Sequence, residues 1–106
     1  MITFDDFKKL ELRTGKILEV NEHSNADKLY VLKVNIGEKE IQLVAGIKAY
    51  YSPDELKGKT VVVIANLEPR AVRGVESQGM LLAAQGEGKV VILTTEKEIS
   101  SGSVVR

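Results

Sequence analysis

The 106-residue sequence has no cysteine, so disulfides, thiolate metal sites and cysteine nucleophiles are excluded together. It has one histidine, His23, no phosphate-cradling glycine signature and no His-x-x-x-His pair, which leaves too few groups for a catalytic constellation. It has no excess of charge: fifteen Lys plus Arg balance fifteen Asp plus Glu. A basic coat for polyanions is therefore excluded, and anion binding must rest on a local patch. No stretch approaches the roughly 20 apolar residues of a membrane helix, and the first nine residues carry Asp5 and Asp6 where a signal sequence needs an apolar core. The expectation is a soluble, unprocessed, cytoplasmic protein, not an enzyme, without cofactor, metal or membrane partner. Its length is that of one domain, able to bury about two thirds of its extended surface in a single core.

Hydrophobic spacing divides the chain into short elements. Thr3 can cap a helix in which Asp5 and Asp6 face the positive dipole end and Phe4, Phe7 and Leu10 recur at helical spacing. From Leu12 the period becomes two, and Gly15 with Ile17 suggests a bulge in a long, bent strand. Tyr30–Ile36 and Ile41–Ile47 alternate on either side of Gly37-Glu38 and predict a hairpin. Ser52-Pro53-Asp54-Glu55 is a capping box with proline at the first helical position, closed by Gly58. Thr60–Ala65 is a continuous apolar run and predicts a central strand; 66–79 predicts a long loop, Met80–Ala84 a fifth strand, and Lys89–Leu93 one strand more. Three strands, a short helix and two strands is the order of the OB-fold, an all-β, five-stranded Greek-key barrel whose one-two and four-five loops bind oligonucleotides. The strand after Gly88 is surplus to that barrel and is expected to lack a partner within it.

Several residues carry two readings. His23 lies between Glu22 and Asp27, but one imidazole and two carboxylates make a poor metal set, and loop capping is the better role. Asp5 and Asp6 point apart on a helix and serve as dipole partners rather than as an acid and base pair. Arg70 and Arg73, two of only four arginines, offer planar forks for phosphate; neutralisation by Glu68 and Glu76 is the equal alternative. Lys28 is either a binding cation or a partner of Asp27, and Met80 on composition alone fills the barrel.

Seven strings, Phe4-Asp5-Asp6-Phe7, Leu12-Arg13-Thr14-Gly15-Lys16-Ile17, His23 to Tyr30, Val44-Ala45-Gly46-Ile47, Pro53 to Lys59, Asn66-Leu67-Glu68-Pro69 and Ser77 to Ala83, resemble the tRNA-binding domain at the carboxy terminus of many methionyl-tRNA synthetases. The resemblance covers essentially the whole chain and extends to free-standing tRNA-binding proteins and archaeal synthetase beta subunits. It implies an OB-fold barrel over about 10–86, a carboxy-terminal extension over about 87–106 that forms a homodimer, and tRNA as partner, with a methionyl-tRNA synthetase as the enzyme served. It brings no catalytic residues. Matched positions imply a binding face of Arg13, Lys16, Lys28, Asn66, Arg70, Arg73, Ser77 and Met80: the cations on phosphate, Asn66 and Ser77 on sugar or base edges, and Met80 on RNA or shaping the loop. An export-related dimeric chaperone of the same fold and length, holding unfolded chains, is the alternative, and an adaptor that docks on a synthetase without touching RNA is a third class.

Overall fold

The computed structural model describes residues 1–106. Helix α1 (Phe4–Lys8) is opened by a capping box: the Thr3 hydroxyl accepts from the Asp6 amide and the Asp6 carboxylate from the Thr3 amide. The bond from the Thr3 amide, followed by that from the Lys9 ammonium, holds the Asp6 carboxyl below its usual range. Helix α2 (Pro53–Leu56) repeats the device with Ser52 and Glu55, whose carboxyl is likewise lowered by the bonds to Ser52, and it drives Leu56 fully into the core. No helix is long and apolar enough to cross a membrane.

The strands are β1 (Leu12–Glu22), β2 (Tyr30–Asn35), β3 (Glu40–Ala45), β4 (Thr60–Ile64), β5 (Arg70–Val72), β6 (Val75–Ser77), β7 (Met80–Leu81), β8 (Ala83–Gly86) and β9 (Lys89–Ile92). Five of them form one antiparallel sheet in the order β3-β2-β1-β4-β7. The sheet curls until its ends meet. The Gln78 amide donates to the Gln42 carbonyl, the Gln42 amide to Gln78 Oε1, both at 2.8 Å, and the Val44 amide to Ser77 Oγ at 3.0 Å. Gly79 permits this closure, because a Cβ there would stand 2.6 Å from the Ile64 carbonyl oxygen. The result is the OB-like barrel that the strand order predicts.

β1 is long enough to serve two partners. Its first part, Leu12 to Lys16, pairs with β4; from Lys16 onward it pairs with β2, and the bulge expected at Gly15 to Ile17 falls just beyond, between Ile17 and Glu19. Alternation then sends Ile17, Leu32, Val34, Leu43, Val61 and Val63 inward, all essentially fully buried. Removing this much apolar surface from water is the main stabilising term of so small a domain.

The second half departs from the sequence reading at three places. The loop predicted for 66–79 contains a hairpin, β5 with β6, turned at Arg73-Gly74, both at positive φ (53° and 89°). Asn-Gly or Asp-Gly is the usual signal for such a turn, and arginine hides it. The strand predicted for Met80–Ala84 is two strands: β7 pairs with β4, and after Leu82 the chain leaves as β8. The strand expected to lack a partner has one, because β9 pairs with β8 from Ala83↔Ile92 to Gly86↔Lys89 and buries Ile92 in the main core.

The tail after β9 fills a gap in the barrel. The edge of β1 that β2 leaves free is taken by residues 102–105: Thr14 N–H donates to the Ser103 carbonyl at 2.9 Å, Gly102 N–H to the Thr14 carbonyl at 2.8 Å, and Val105 N–H to the Leu12 carbonyl at 3.0 Å. Thr14 Oγ1 donates to the Ser100 carbonyl at 2.9 Å and accepts from the Ser103 amide at 3.0 Å, so this buried hydroxyl is satisfied by the tail alone.

Candidate nucleic-acid interface

The one-two loop (23–29) and the β5–β6 hairpin meet at one end of the barrel, and the only histidine joins them. His23 is buried; its Nδ1 accepts from the Asn25 amide at 2.9 Å, so Nε2 carries the proton and donates to the Val72 carbonyl at 2.9 Å. A second tie runs the same way, from Arg73 Nη2 to the Asn25 carbonyl at 3.1 Å. These bonds hold Arg73 at a positive φ that costs a non-glycine residue energy. The loop-capping role expected of His23 is thus extended: it caps its own loop and clasps the other. Beside it the Lys48 ammonium pairs with the Glu22 carboxylate, a hydrogen-bonded contact that lowers the Glu22 pKa and raises that of Lys48.

Replacing His23 with Ala leaves the Asn25 amide and the Val72 carbonyl unpaired and is expected to cost about 1 to 3 kcal/mol of stability. Amide hydrogen exchange of residues 70–77 should quicken more than that of β2 and β3. Uniform protection in the variant would show that the hairpin does not depend on the clasp.

The eight residues implied by the resemblance fall into two groups. Lys28, Arg70, Arg73, Ser77 and Met80 lie on or beside the two joined loops. Lys28, Arg70 and Arg73 are exposed and none is in an ion pair: the three pairs of the molecule are Lys9–Asp6, Arg13–Glu11 and Lys48–Glu22. Neutralisation of the two arginines by Glu68 and Glu76 does not occur, and Glu76 instead accepts from Gln78 Nε2 at 3.0 Å. Ser77 is buried; its oxygen accepts from Val44 and donates to the Gly79 carbonyl, which makes it part of the barrel closure. Met80 is 46% exposed, so it rims the barrel instead of filling it.

Arg13 and Lys16 lie on β1, and Asn66 opens the four-five loop. Arg13 bonds Glu11 and the Gly102 carbonyl, and Lys16 stands beside Gly58, Thr60 and the tail residues Glu98 to Ser101. Asn66 is a clasp of its own, accepting from the Glu11 amide and donating to the Lys9 carbonyl, both at 2.8 Å. Through the register of β4, Arg13 lies two strands from Leu81, the neighbour of Met80, and it lines a second cleft together with Asn66.

Between the joined loops and β3 lies a cleft of about 490 Å³, lined by Val44, Leu67, Glu68, Arg70, Ser77, Gly79 and Met80. Leu67 belongs to no candidate set drawn from the sequence, where an apolar residue two positions before a proline reads as ordinary loop, and Glu68 enters there only as a neutralising partner of the arginines. No three imidazoles or carboxylates converge to hold a metal ion. The face offers guanidinium and ammonium donors and an apolar floor, with the Glu68 carboxylate in its cleft and Asp27 beside Lys28, which suits binding by contact more than bond-making.

Comparison with known proteins bears on this face. The family described as "Putative tRNA binding domain" matches residues 12–104. The methionine–tRNA ligase of Thermococcus kodakarensis is 58% identical over 105 residues, 99% of this chain but 14% of that protein. The chain thus spans about one seventh of the curated relatives it matches. Among solved structures, a MetRS-related protein from Pyrococcus horikoshii superposes with a TM-score of 0.93 at 34% identity, covering 100% of this chain and 98% of that one. The chaperone CsaA of Bacillus anthracis superposes with a TM-score of 0.91 at 30% identity, covering 100% and 99%.

Proposed function

The chain belongs to the tRNA-binding domain family, and from that premise we propose that it binds the folded body of tRNA, catalyses nothing itself, and presents tRNA to a methionyl-tRNA synthetase in cis or in trans. The observation that carries this reading is the clasp: His23 and Arg73 join the one-two and four-five loops into one face on which Lys28, Arg70 and Arg73 have no carboxylate partner. These are the two loops with which OB-folds take up oligonucleotides. Of the eight residues implied by the resemblance, Lys28, Arg70, Arg73 and Met80 contact RNA directly, and Ser77 sets the rim on which Met80 stands. Arg13, Lys16 and Asn66 extend that face along the first part of β1 and the start of the four-five loop. The reading places the protein in the cytoplasm.

The extension at 87–106 makes the protein a symmetric homodimer. Val91, Leu93, Ile99 and Val104 of that segment, with Phe4 of α1, are exposed apolar side chains that a second copy would cover. Sedimentation should report about 23 kDa, twice the 11.6 kDa chain.

The likeness to CsaA over the whole chain supports a second reading, a dimeric chaperone whose exposed apolar residues hold unfolded polypeptide. One titration at physiological salt separates the two. Folded tRNA should bind more tightly than duplex RNA, single-stranded RNA or an unfolded polypeptide, with a log-log salt slope of about 3 to 6 for the few phosphates a net-neutral protein can neutralise. Preference for the polypeptide selects the chaperone, and equal affinity for single strands removes the recognition of shape.

A further inference from the structure

A carboxylate on a phosphate-binding loop is out of place unless it meets something other than phosphate. Glu68 stands on the four-five loop, exposed and without an ion-pair partner, two residues from Arg70 and on the same cleft. The floor between them is apolar, made by Leu67 (40% exposed) and Met80 (46% exposed). At about 490 Å³ the cleft lies within the roughly 300 to 1,000 Å³ of small-ligand sites. A nucleotide has matching parts: an anionic phosphate, a flat apolar ring and N–H donors on the ring edge.

We propose that the Leu67–Met80 cleft receives one unstacked guanine base of the bound RNA, with Glu68 accepting from its ring N–H and amino donors and Arg70 holding an adjoining phosphate. The choice of base follows from donor arithmetic. Guanine alone presents two neighbouring donors on its Watson–Crick edge, which a carboxylate takes in a bidentate contact; on adenine, cytosine and uracil a donor alternates with acceptors that a carboxylate repels. Splayed bases read along this edge are the ordinary means of sequence recognition in RNA. The proposal rests on the tRNA-binding reading and adds to it a single base-selective contact within otherwise shape-directed binding.

The test turns on a sign. If Glu68 only sits near phosphates, Glu68→Gln removes a repulsion and tightens tRNA binding. If it accepts from guanine, Glu68→Gln weakens folded tRNA by about 5-fold or more, at an unchanged salt slope. Titration of the full chain with 5′-GMP, 5′-IMP, 5′-AMP and 5′-UMP, followed by the methyl resonances of Leu67 and Met80, is the second arm. GMP should shift both saturably and about 5-fold more tightly than IMP, which lacks the amino group, with AMP and UMP weaker still. Tighter or unchanged tRNA binding by Glu68→Gln overturns the proposal, as does displacement of GMP by an unfolded polypeptide that prefers the cleft. Should wild-type protein bind no tRNA, the function proposed above fails and the nucleotide arm decides for the cleft alone: a GMP-selective shift supports it, and none overturns it.

Discussion

Deleting residues 89–106 is expected to give unfolded or insoluble protein rather than a soluble monomeric barrel. The deletion takes Ile92 from the core and the Ile92 amide from Tyr51 Oη, a 3.1 Å bond that ties the segment after β3 to β9. It also strips the free edge of β1. The amide, carbonyl and hydroxyl of Thr14 all lose tail partners inside the barrel wall, and Arg13 loses the Gly102 carbonyl. A buried polar group left unpaired costs about 1 to 3 kcal/mol, and loss of a buried isoleucine about 2 to 5 kcal/mol. Their sum reaches the about 5 to 15 kcal/mol that holds a typical domain together. Far-UV circular dichroism and urea unfolding check this. A truncated protein that unfolds cooperatively near the full-length midpoint would show that residues 89–106 are an appendage.

The second large effect belongs to Arg70 and Arg73. Each alanine substitution should weaken tRNA binding by about 1 to 3 kcal/mol and lower the salt slope by about one, as loss of a phosphate contact does. Their stability effects should differ. Arg70 is exposed and unpaired, so Arg70→Ala should change folding by less than about 0.5 kcal/mol. Arg73 also holds the Asn25 carbonyl, so Arg73→Ala should in addition loosen the hairpin, as is expected of His23→Ala. Lys97→Ala removes the same charge from the exposed tail and serves as the control in fluorescence titrations at several salt concentrations. Equal weakening by Lys97→Ala and Arg70→Ala would make the binding diffuse electrostatics and deny the loop face a special role.

Much of the first half of the molecule is legible in the chain because its signals are local. Thr3 and Asp6, and Ser52 and Glu55, close capping boxes three residues apart, and the β2–β3 hairpin follows from alternation around a short glycine turn. The barrel order and the bulge in β1 follow from period two and its interruption. The resemblance of ordered strings reaches as far as the family, and the family match over residues 12–104 agrees with it.

What lies beyond reach of the chain is every feature set by partners far apart in sequence. Nothing near Thr14 announces that residues 86 and 89 positions later supply its hydrogen bonds, or that β9 pairs with β8 and sends Ile92 into the core. Composition leaves open whether Arg70 and Arg73 are neutralised by neighbouring glutamates. The folded hairpin decides it by turning at Arg73-Gly74, sending one arginine to the Asn25 carbonyl and leaving the other unpaired. Local periodicity governs which residues face inward, since that depends only on backbone repeat. Which strand edges meet, and which charges stay free, depends on closure of the barrel, a property of the whole chain that no window of a few residues contains.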